Sequence, residues 1–335
     1  MRVAIVGAGA MGSLVAGLLR VSPFLSANDE IWLVGAESTK AHLAAMATDG
    51  LRFEVRPNVA ALLSPLMLAR LQNPVHDVHL IQDPALAYPC DLAIVLVKSY
   101  RTAQAGQQVA HLLASGGLVL SLQNGLGNVE MLVAHVTDNT AQVTQGTSLL
   151  GASLAQPGHV VIGGLGSTTL GSTLALTMAQ QQTLEWFKQG LTQVGAVVNI
   201  TDNVQSIIWG KLVVNCAVNP IAALLDVTNG TLLEYAATRQ LLSQVALEVA
   251  AVARAAHIKL PFLDAQAPAQ AMQAAQINAD NICSMVQDLR LHRPTEIEAI
   301  NGAVVREAAR LGLDVPVNRT LTELIRVREK LAGAF

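Results

Sequence analysis

The sequence predicts an α/β chain in two parts: a doubly wound, mostly parallel sheet over residues 1–201, followed by an all-α domain over 202–335. Three observations point there. Short apolar runs alternate with helical periods through the first half of the chain. A glycine-rich turn follows the first of those runs. After about Asp202 the strand signals fade, and long helical periods rich in Ala, Leu and Gln take over. Composition agrees, because of the 335 residues 52% are hydrophobic, 13% charged and only 3% aromatic. Small aliphatic side chains must therefore fill the interior, which suits close helix packing and short parallel strands. A chain this long removes about 75% of its unfolded surface from water, enough for two cores.

In chain order, strands are expected at 3–6, 31–34, 92–97 and 118–122, with helices such as 11–20 and 102–113 between them. The stretch 56–83 is less regular. It reads as an elaboration of the sheet domain with a helix at 60–71 and a weak strand at 75–81, punctuated by Pro57, Pro65 and Pro74. Gln156-Pro157-Gly158 is a turn beside short strands at 159–162 and 168–172, as in a hairpin. The second domain opens on a helix capped by Asp202, with Gln205 completing a capping-box-like start. Gly312 and Pro316 stop a later helix, and a last one runs over 318–331.

Several function classes fall away. With 21 Lys+Arg against 24 Asp+Glu, the net charge of -3 leaves no footprint for a nucleic-acid backbone. Cys90, Cys216 and Cys283 are odd in number and set in apolar runs, so neither a disulfide framework nor a metal site is expected, and the pair His76 and His79 lacks further ligands. Arg2 and the apolar run after it resemble a secretory signal, but glycines at 7, 9 and 12 fit a strand, turn and helix better. The segment after Lys211 carries Asn215, Asn219 and Pro220, which argues against a membrane span. The expectation is a cytoplasmic protein without nucleic-acid or membrane partners. Its oligomeric state stays open, and a homodimer is compatible with the sequence.

The most specific local pattern is Gly7-Ala8-Gly9-Ala10-Met11-Gly12, a G-x-G-x-x-G between a strand and a helix, the Rossmann-type dinucleotide signature. Gly7 permits the turn, Gly9 lets backbone approach a pyrophosphate, and Gly12 lets helix and strand touch. The amides of Ala10, Met11 and Gly12 at the helix start face the phosphates. Beyond the second strand, Glu37 competes with Ser38, Thr39 and Lys40, so the reading leans to NADP(H) with NAD(H) kept open.

Three polar constellations complete the candidates. On a helix, Lys211, Asn215 and Asn219 share one face of an otherwise apolar segment, and such a stripe must meet water, a ligand or buried partners. Asn281, Ser284 and Asp288 fall on another face, Asp288 reading as a solvated or structural carboxylate. Pro294 is expected to restart a helix with Thr295 and Glu296 in its first turn. Lys98 and Asn124 follow strands of the sheet, where doubly wound folds bind ligands.

Together these residues resemble the ketopantoate reductase (2-dehydropantoate 2-reductase) family. The resemblance covers most of the chain through GAGAMG, VKSYRT with Lys98, QNGLG with Asn124, KLVVNCAVNP, the TNG of Asn229, and NICSMVQDLRLHRPTEIEAING. It implies a Rossmann-type domain followed by a helical one, and NADPH-dependent reduction of a small 2-keto acid, 2-dehydropantoate, to pantoate in pantothenate biosynthesis. By the same resemblance, Lys211 is the general acid and Glu296 lies beside it. Asn124, Asn215, Asn219, Asn229 and Ser284 hold the substrate, while Lys98 and Asn124 line the cofactor cleft. Some members place an arginine after the second strand for the 2′-phosphate, where this chain has Ala36, and the 56–83 stretch is longer than in the family. Two other readings remain at this stage: a related 2-keto acid or opine-type reductase, and a non-catalytic dinucleotide sensor.

Overall fold

The computed structural model describes residues 1–87, 89–136, 138 and 140–333. They form two compact units. The first comprises Met1–Gln123 and Asn128–Val204; the second comprises Asn124–Gly127 and the chain from Gln205 onward.

The strands of the first unit are β1 (Arg2–Val6), β2 (Glu30–Val34), β3 (Arg52–Val55), β4 (His79–Ile81), β5 (Cys90–Val95), β6 (Leu113–Ser121), β7 (Gln142–Gln156), β8 (His159–Gly171) and β9 (Val198–Ile200). Its helices are α1 (Ala10–Val21), α2 (Lys40–Asp49), α3 (Pro57–Ala60), α4 (Pro65–Gln72), α5 (Thr102–Leu112), α6 (Asn128–Val133) and α7 (Met178–Thr192). The described residues build one nine-stranded sheet in the order β3-β8-β7-β6-β5-β1-β2-β4, with β9 beside β8. Pairing is parallel except between β7 and β8. Val3 of β1 pairs with Ile31 on one side and Leu92 on the other, so this strand is central, and its residues 3–6 are almost wholly buried on both faces. Such a strand reads as a continuous apolar run.

Helix α1 buries Leu14, Val15, Leu18 and Leu19. Gly17 lies so near the Phe53 ring that a Cβ there would stand 2.2 Å from Phe53 Cζ, so glycine is what lets β3 tuck against this helix. A buried imidazole ties α2 in place. The Gly158 amide donates to His42 Nδ1 at 2.8 Å, and His42 Nε2 lies 2.8 Å from the Ser13 hydroxyl. Since Nδ1 accepts, the neutral ring carries its hydrogen on Nε2 and donates to Ser13.

The structure departs from the sequence reading in four places here. The expected hairpin strands at 159–162 and 168–172 are one strand, β8, whose antiparallel partner is β7. Gly163, Gly164 and Gly166 interrupt the apolar alternation of β8, which made one strand look like two. The helix expected at 60–71 is divided into α3 and α4, because Ser64 caps α4 through Met67 N–H and Pro65 occupies its first turn. Of 75–81 only His79–Ile81 joins the sheet, while Val75 bridges to Leu51. β5 ends at Val95, leaving Leu96 and Val97 in the turn beyond it.

The second unit contains α8 (Val204–Leu225), α9 (Ala236–Ala255), α10 (Ala267–Ile277), α11 (Ser284–Arg290), α12 (Asn301–Arg310) and α13 (Pro316–Leu331). Its core gathers Leu212, Val213, Ile221, Leu242, Val249, Val304 and Ile325, each 3% exposed or less. Burial of such a side chain is worth about 1.5–3 kcal/mol against its exposed state. Helix α8 starts at Val204, so Asn203 and not Asp202 precedes it. Pro316 opens α13 instead of only closing the helix before it, as suits a residue with fixed φ and no N–H to lose. The residues after Pro294 form turns, and helix resumes only at Asn301.

The division at 201/202 places Asn124–Gly127 with the sheet, but these four residues pack with the helical unit. The Leu126 amide donates to Ala299 O at 2.8 Å, and Gly125, at φ +83, lies so close that a Cβ would stand 2.2 Å from the same oxygen.

Candidate active site

At the nucleotide turn, Gly7 has φ +117 and lies against the backbone of Leu96 and Val97, where a Cβ would approach to 2.9 Å. At Gly12 a Cβ would meet Gly7 O at 1.9 Å. Gly9 differs: a Cβ there would have no heavy atom within 4 Å, so its missing side chain leaves open space instead of relieving a clash. Gly9 is also the N-cap of α1, with no side-chain cap and no acidic residue in the first turn. The first-turn amides of Ala10, Met11 and Gly12 have no acceptor within the helix. Open space bounded by uncapped amides at a positive helix end fits a pyrophosphate.

In the sheet, β1 lies between β5 and β2, so the turns leaving these strands are neighbours. Lys98 is half-buried and N-caps the 3-10 turn Ser99–Arg101. Three residues later a group the sequence reading missed appears: Arg101 Nη1 donates to the Ser38 hydroxyl at 2.7 Å, in the turn after β2. Among the described residues no carboxylate pairs with Arg101, whereas Lys40 is paired with Glu37 at 3.3 Å. The arginine was visible in VKSYRT, but only the strand order brings it to the turn after β2.

On α8, Lys211, Asn215 and Asn219 lie at i, i+4 and i+8, opposite a face formed by Leu212, Val213, Cys216 and Ala217. Lys211 and Asn215 are half-buried and Asn219 is 8% exposed. Among the described residues, the side chains of Asn215 and Asn219 have no hydrogen-bond partner. Pro220 sits inside this helix and cannot donate to Cys216 O, but Asn301 Nδ2 does so at 3.0 Å. The helix therefore continues through a residue that would otherwise orphan a buried carbonyl. Asn301 is fixed in turn by Asn318 Oδ1 at 3.0 Å.

Burial pulls the Lys211 ammonium down to about 8, while the Glu296 carboxylate opposes that fall. Glu296 is 5% exposed and accepts from Asn124 Nδ2 at 3.1 Å. The expectation that Glu296 begins a helix is corrected: it lies in the irregular 294–300 segment, so no helix dipole supports it. Instead the preceding Thr295 is anchored on α13. The Thr295 N–H and hydroxyl both donate to Glu329 Oε1, at 2.7 and 2.6 Å.

Asn229 is buried and already engaged, its amide nitrogen donating to Asn278 O at 3.2 Å and its backbone N–H to Asn281 O at 3.0 Å. Its Oδ1 is buried without a partner among the described residues. Ser284 is the first residue of α11, half-buried, with no side-chain partner among the described residues. Asn281 precedes that helix and is exposed, so it shares no helical face with Ser284 and Asp288. Asp288 is 4% exposed and therefore not solvated. The helical unit thus sets the Lys211 ammonium in the field of the Glu296 carboxylate, with the Asn215 and Asn219 amides on the same face of α8 and the Asn124 amide on Glu296, groups of the kind that can donate a proton and hold a carboxylate or hydroxyl. The sheet unit carries a cradle for a dinucleotide.

Comparison with known proteins covers both units. The ketopantoate reductase PanE/ApbA family model matches residues 3–174, and the PanE/ApbA C-terminal model matches 203–329. A 2-dehydropantoate 2-reductase of Halobacterium salinarum is 34% identical over 331 residues, 98% of this chain and 99% of the relative. A PanE/ApbA family ketopantoate reductase from Ralstonia eutropha superposes with TM-score 0.83 at 30% identity, over 99% of each chain. D-mandelate dehydrogenase with NADH and anilino(oxo)acetate shares the fold at TM-score 0.84 and 24% identity, over the whole of each chain. With sheet and helical parts both matched by models of one family and a relative aligned from end to end, the chain belongs to the ketopantoate reductase PanE/ApbA family.

Proposed function

We propose that the protein reduces 2-dehydropantoate to pantoate with NADPH. The observation that carries this reading is the Lys211 ammonium, drawn down by burial, set beside Glu296 and on one helical face with the Asn215 and Asn219 amides, whose side chains have no hydrogen-bond partner among the described residues. The reduced nicotinamide supplies the hydride when it is bound. The chain's own task is then to hold the keto acid, withhold water and deliver one proton. Lys211 Nζ gives that proton to the carbonyl oxygen and is left as a neutral amine, which solvent reprotonates. A lysine drawn toward about 8 gives up its proton more readily than an ordinary one. The same ammonium stabilises alkoxide charge as it develops. Glu296 favours the charged lysine and so keeps the acid loaded at neutral pH. Asn215, Asn219 and Ser284 offer donors to the substrate carboxylate and hydroxyl. Asn124 shares its amide with Glu296, and Asn229 contributes its unpartnered Oδ1 as an acceptor.

Gly7, Gly9, Ala10, Met11 and Gly12 form the pyrophosphate cradle, with Lys98 nearby in sequence to the turn after β5. Arg101, hydrogen-bonded to Ser38, supplies at the turn after β2 the cation that Ala36 lacks, which favours NADPH. NADPH should accordingly bind more tightly than NADH in fluorescence titrations. Arg101→Ala should lower that ratio about tenfold, the effect of losing one charge-assisted phosphate contact. Helix α8 is long and apolar enough to cross a membrane, yet 72% of its most apolar window is buried inside the protein. That burial supports a core helix.

A panel of 2-keto acids assayed with NADPH and NADH tests the reading. Oxidation of NADPH dependent on 2-dehydropantoate is the expected result. Turnover of another 2-keto acid in its place would move the assignment to a sibling reductase, and nucleotide binding without any turnover would make the protein a sensor.

A further inference from the structure

Glu329 lies far along the chain from the catalytic candidates, near the end of α13, yet it is only 4% exposed. A long acidic side chain on a terminal helix belongs in water unless something requires it inside. What it meets is the residue before Glu296. Its Oε1 accepts from the Thr295 backbone N–H at 2.7 Å and from the Thr295 hydroxyl at 2.6 Å, both in the range of charge-assisted bonds to a carboxylate. The Thr295 hydroxyl oxygen in turn accepts from the Ile297 N–H at 3.2 Å. One carboxylate thus fixes the residues on both sides of Glu296, in a segment where no helix or strand fixes them. On its other side Glu296 receives Asn124 Nδ2.

We propose that Glu329 is a positioning residue, holding the Thr295–Glu296–Ile297 turn so that the Glu296 carboxylate stays against the Lys211 ammonium. The inference rests on the reading of Lys211 as the acid. It assigns to α13 a part in the chemistry: without the Glu329 anchor, Thr295 retains no hydrogen-bond acceptor for its backbone, and the turn gains freedom at the one residue whose charge supports the lysine. A displacement of about 1 Å in a catalytic constellation can cost up to a hundredfold in rate.

The test compares Glu329→Ala with Glu329→Gln in the full-length protein. Glutamine keeps an oxygen that can accept both bonds, so Glu329→Gln should retain most of the activity. Glu329→Ala should lower kcat about 10- to 100-fold while leaving NADPH affinity as in the wild type. The alanine variant should also move the Lys211 titration, followed by NMR of 15N-labelled lysine side chains, to lower pH, because a displaced Glu296 no longer favours the ammonium. Thr295→Val, which loses only the hydroxyl bonds, should show a smaller change in the same direction, and it serves as the test should Glu329→Ala fail to fold. A loss of thermal stability with kcat and the Lys211 titration unchanged would overturn the proposal, as would a glutamine variant as impaired as alanine. If the wild type reduces no keto acid at all, the reductase reading fails, and the lysine titration still decides whether Glu329 positions Glu296.

Discussion

The glycine turn of the sheet unit and the polar face of α8 are sites of opposite construction. The first is made of backbone: its parts are amides, a positive φ and the absence of side chains. The second is made of side chains held in largely apolar surroundings. A site of the first kind is broken by adding atoms, and one of the second kind by removing them. The first hardly depends on which residues surround it, while the second depends on burial, which sets the Lys211 ammonium near 8.

The sharpest break in that comparison is Lys211→Ala, expected to lower kcat about 10²- to 10⁴-fold, as for loss of a general acid, with NADPH affinity unchanged by titration. Next comes a pair at the turn. Gly12→Ala drives a Cβ into Gly7 O and should destabilise the fold by about 1–3 kcal/mol in denaturant unfolding. Gly9→Ala places its Cβ in open space, so stability should hold within about 0.5 kcal/mol while NADPH binding weakens, because the methyl occupies the phosphate's place. Equal loss of stability in both variants would show the cradle to be ordinary packing. The pH dependence of the wild type sharpens the other side. Reduction needs the charged lysine, so kcat/KM should fall as pH rises through about 8, and the reverse oxidation should gain over the same range.

The smallest effect concerns a titrating group that does no chemistry. Burial lowers the pKa of His42 from its ordinary 6.5. The unfolded chain therefore binds that proton more readily, and the contribution of neutral His42 is complete above pH 6.5 and declines as pH falls below it. A protonated ring would also turn an Nδ1 hydrogen toward the Gly158 N–H that now donates to it. The unfolding free energy between pH 7 and 5, read from denaturant melts, should fall more steeply for the wild type than for His42→Gln, by at most about 1.4 kcal/mol per pH unit.

These two sites were unequally legible in sequence. Gly7, Gly9 and Gly12 carry their meaning within six residues, because strand, turn and helix are consecutive. The Lys211, Asn215 and Asn219 stripe could be read from helical periodicity alone. Glu296 stands out in sequence as a residue just after Pro294 and takes its active-site role from the family resemblance, but its setting differs, since Pro294 is followed by turns and not by a helix. Arg101 and Glu329 carried no local signal: one is brought to Ser38 by strand order, the other to Thr295 by the fold-back of α13. β8 was read as two strands because three glycines interrupt a pattern that its pairing with β7 tolerates through register shifts. For Arg101 and Glu329 the missing information was a contact between residues distant along the chain.

The loan of Asn124–Gly127 to the helical unit means that the polypeptide changes unit at three places: after Gln123, after Gly127 and after Val204. A gene severed at the last of these would not yield two self-sufficient halves. The helical fragment would leave behind the amide that steadies Glu296 and the strip of backbone bonded to Ala299. Recombination that exchanged the C-terminal half among relatives would have to carry this tetrapeptide with it, or else select for a loop able to serve a new host.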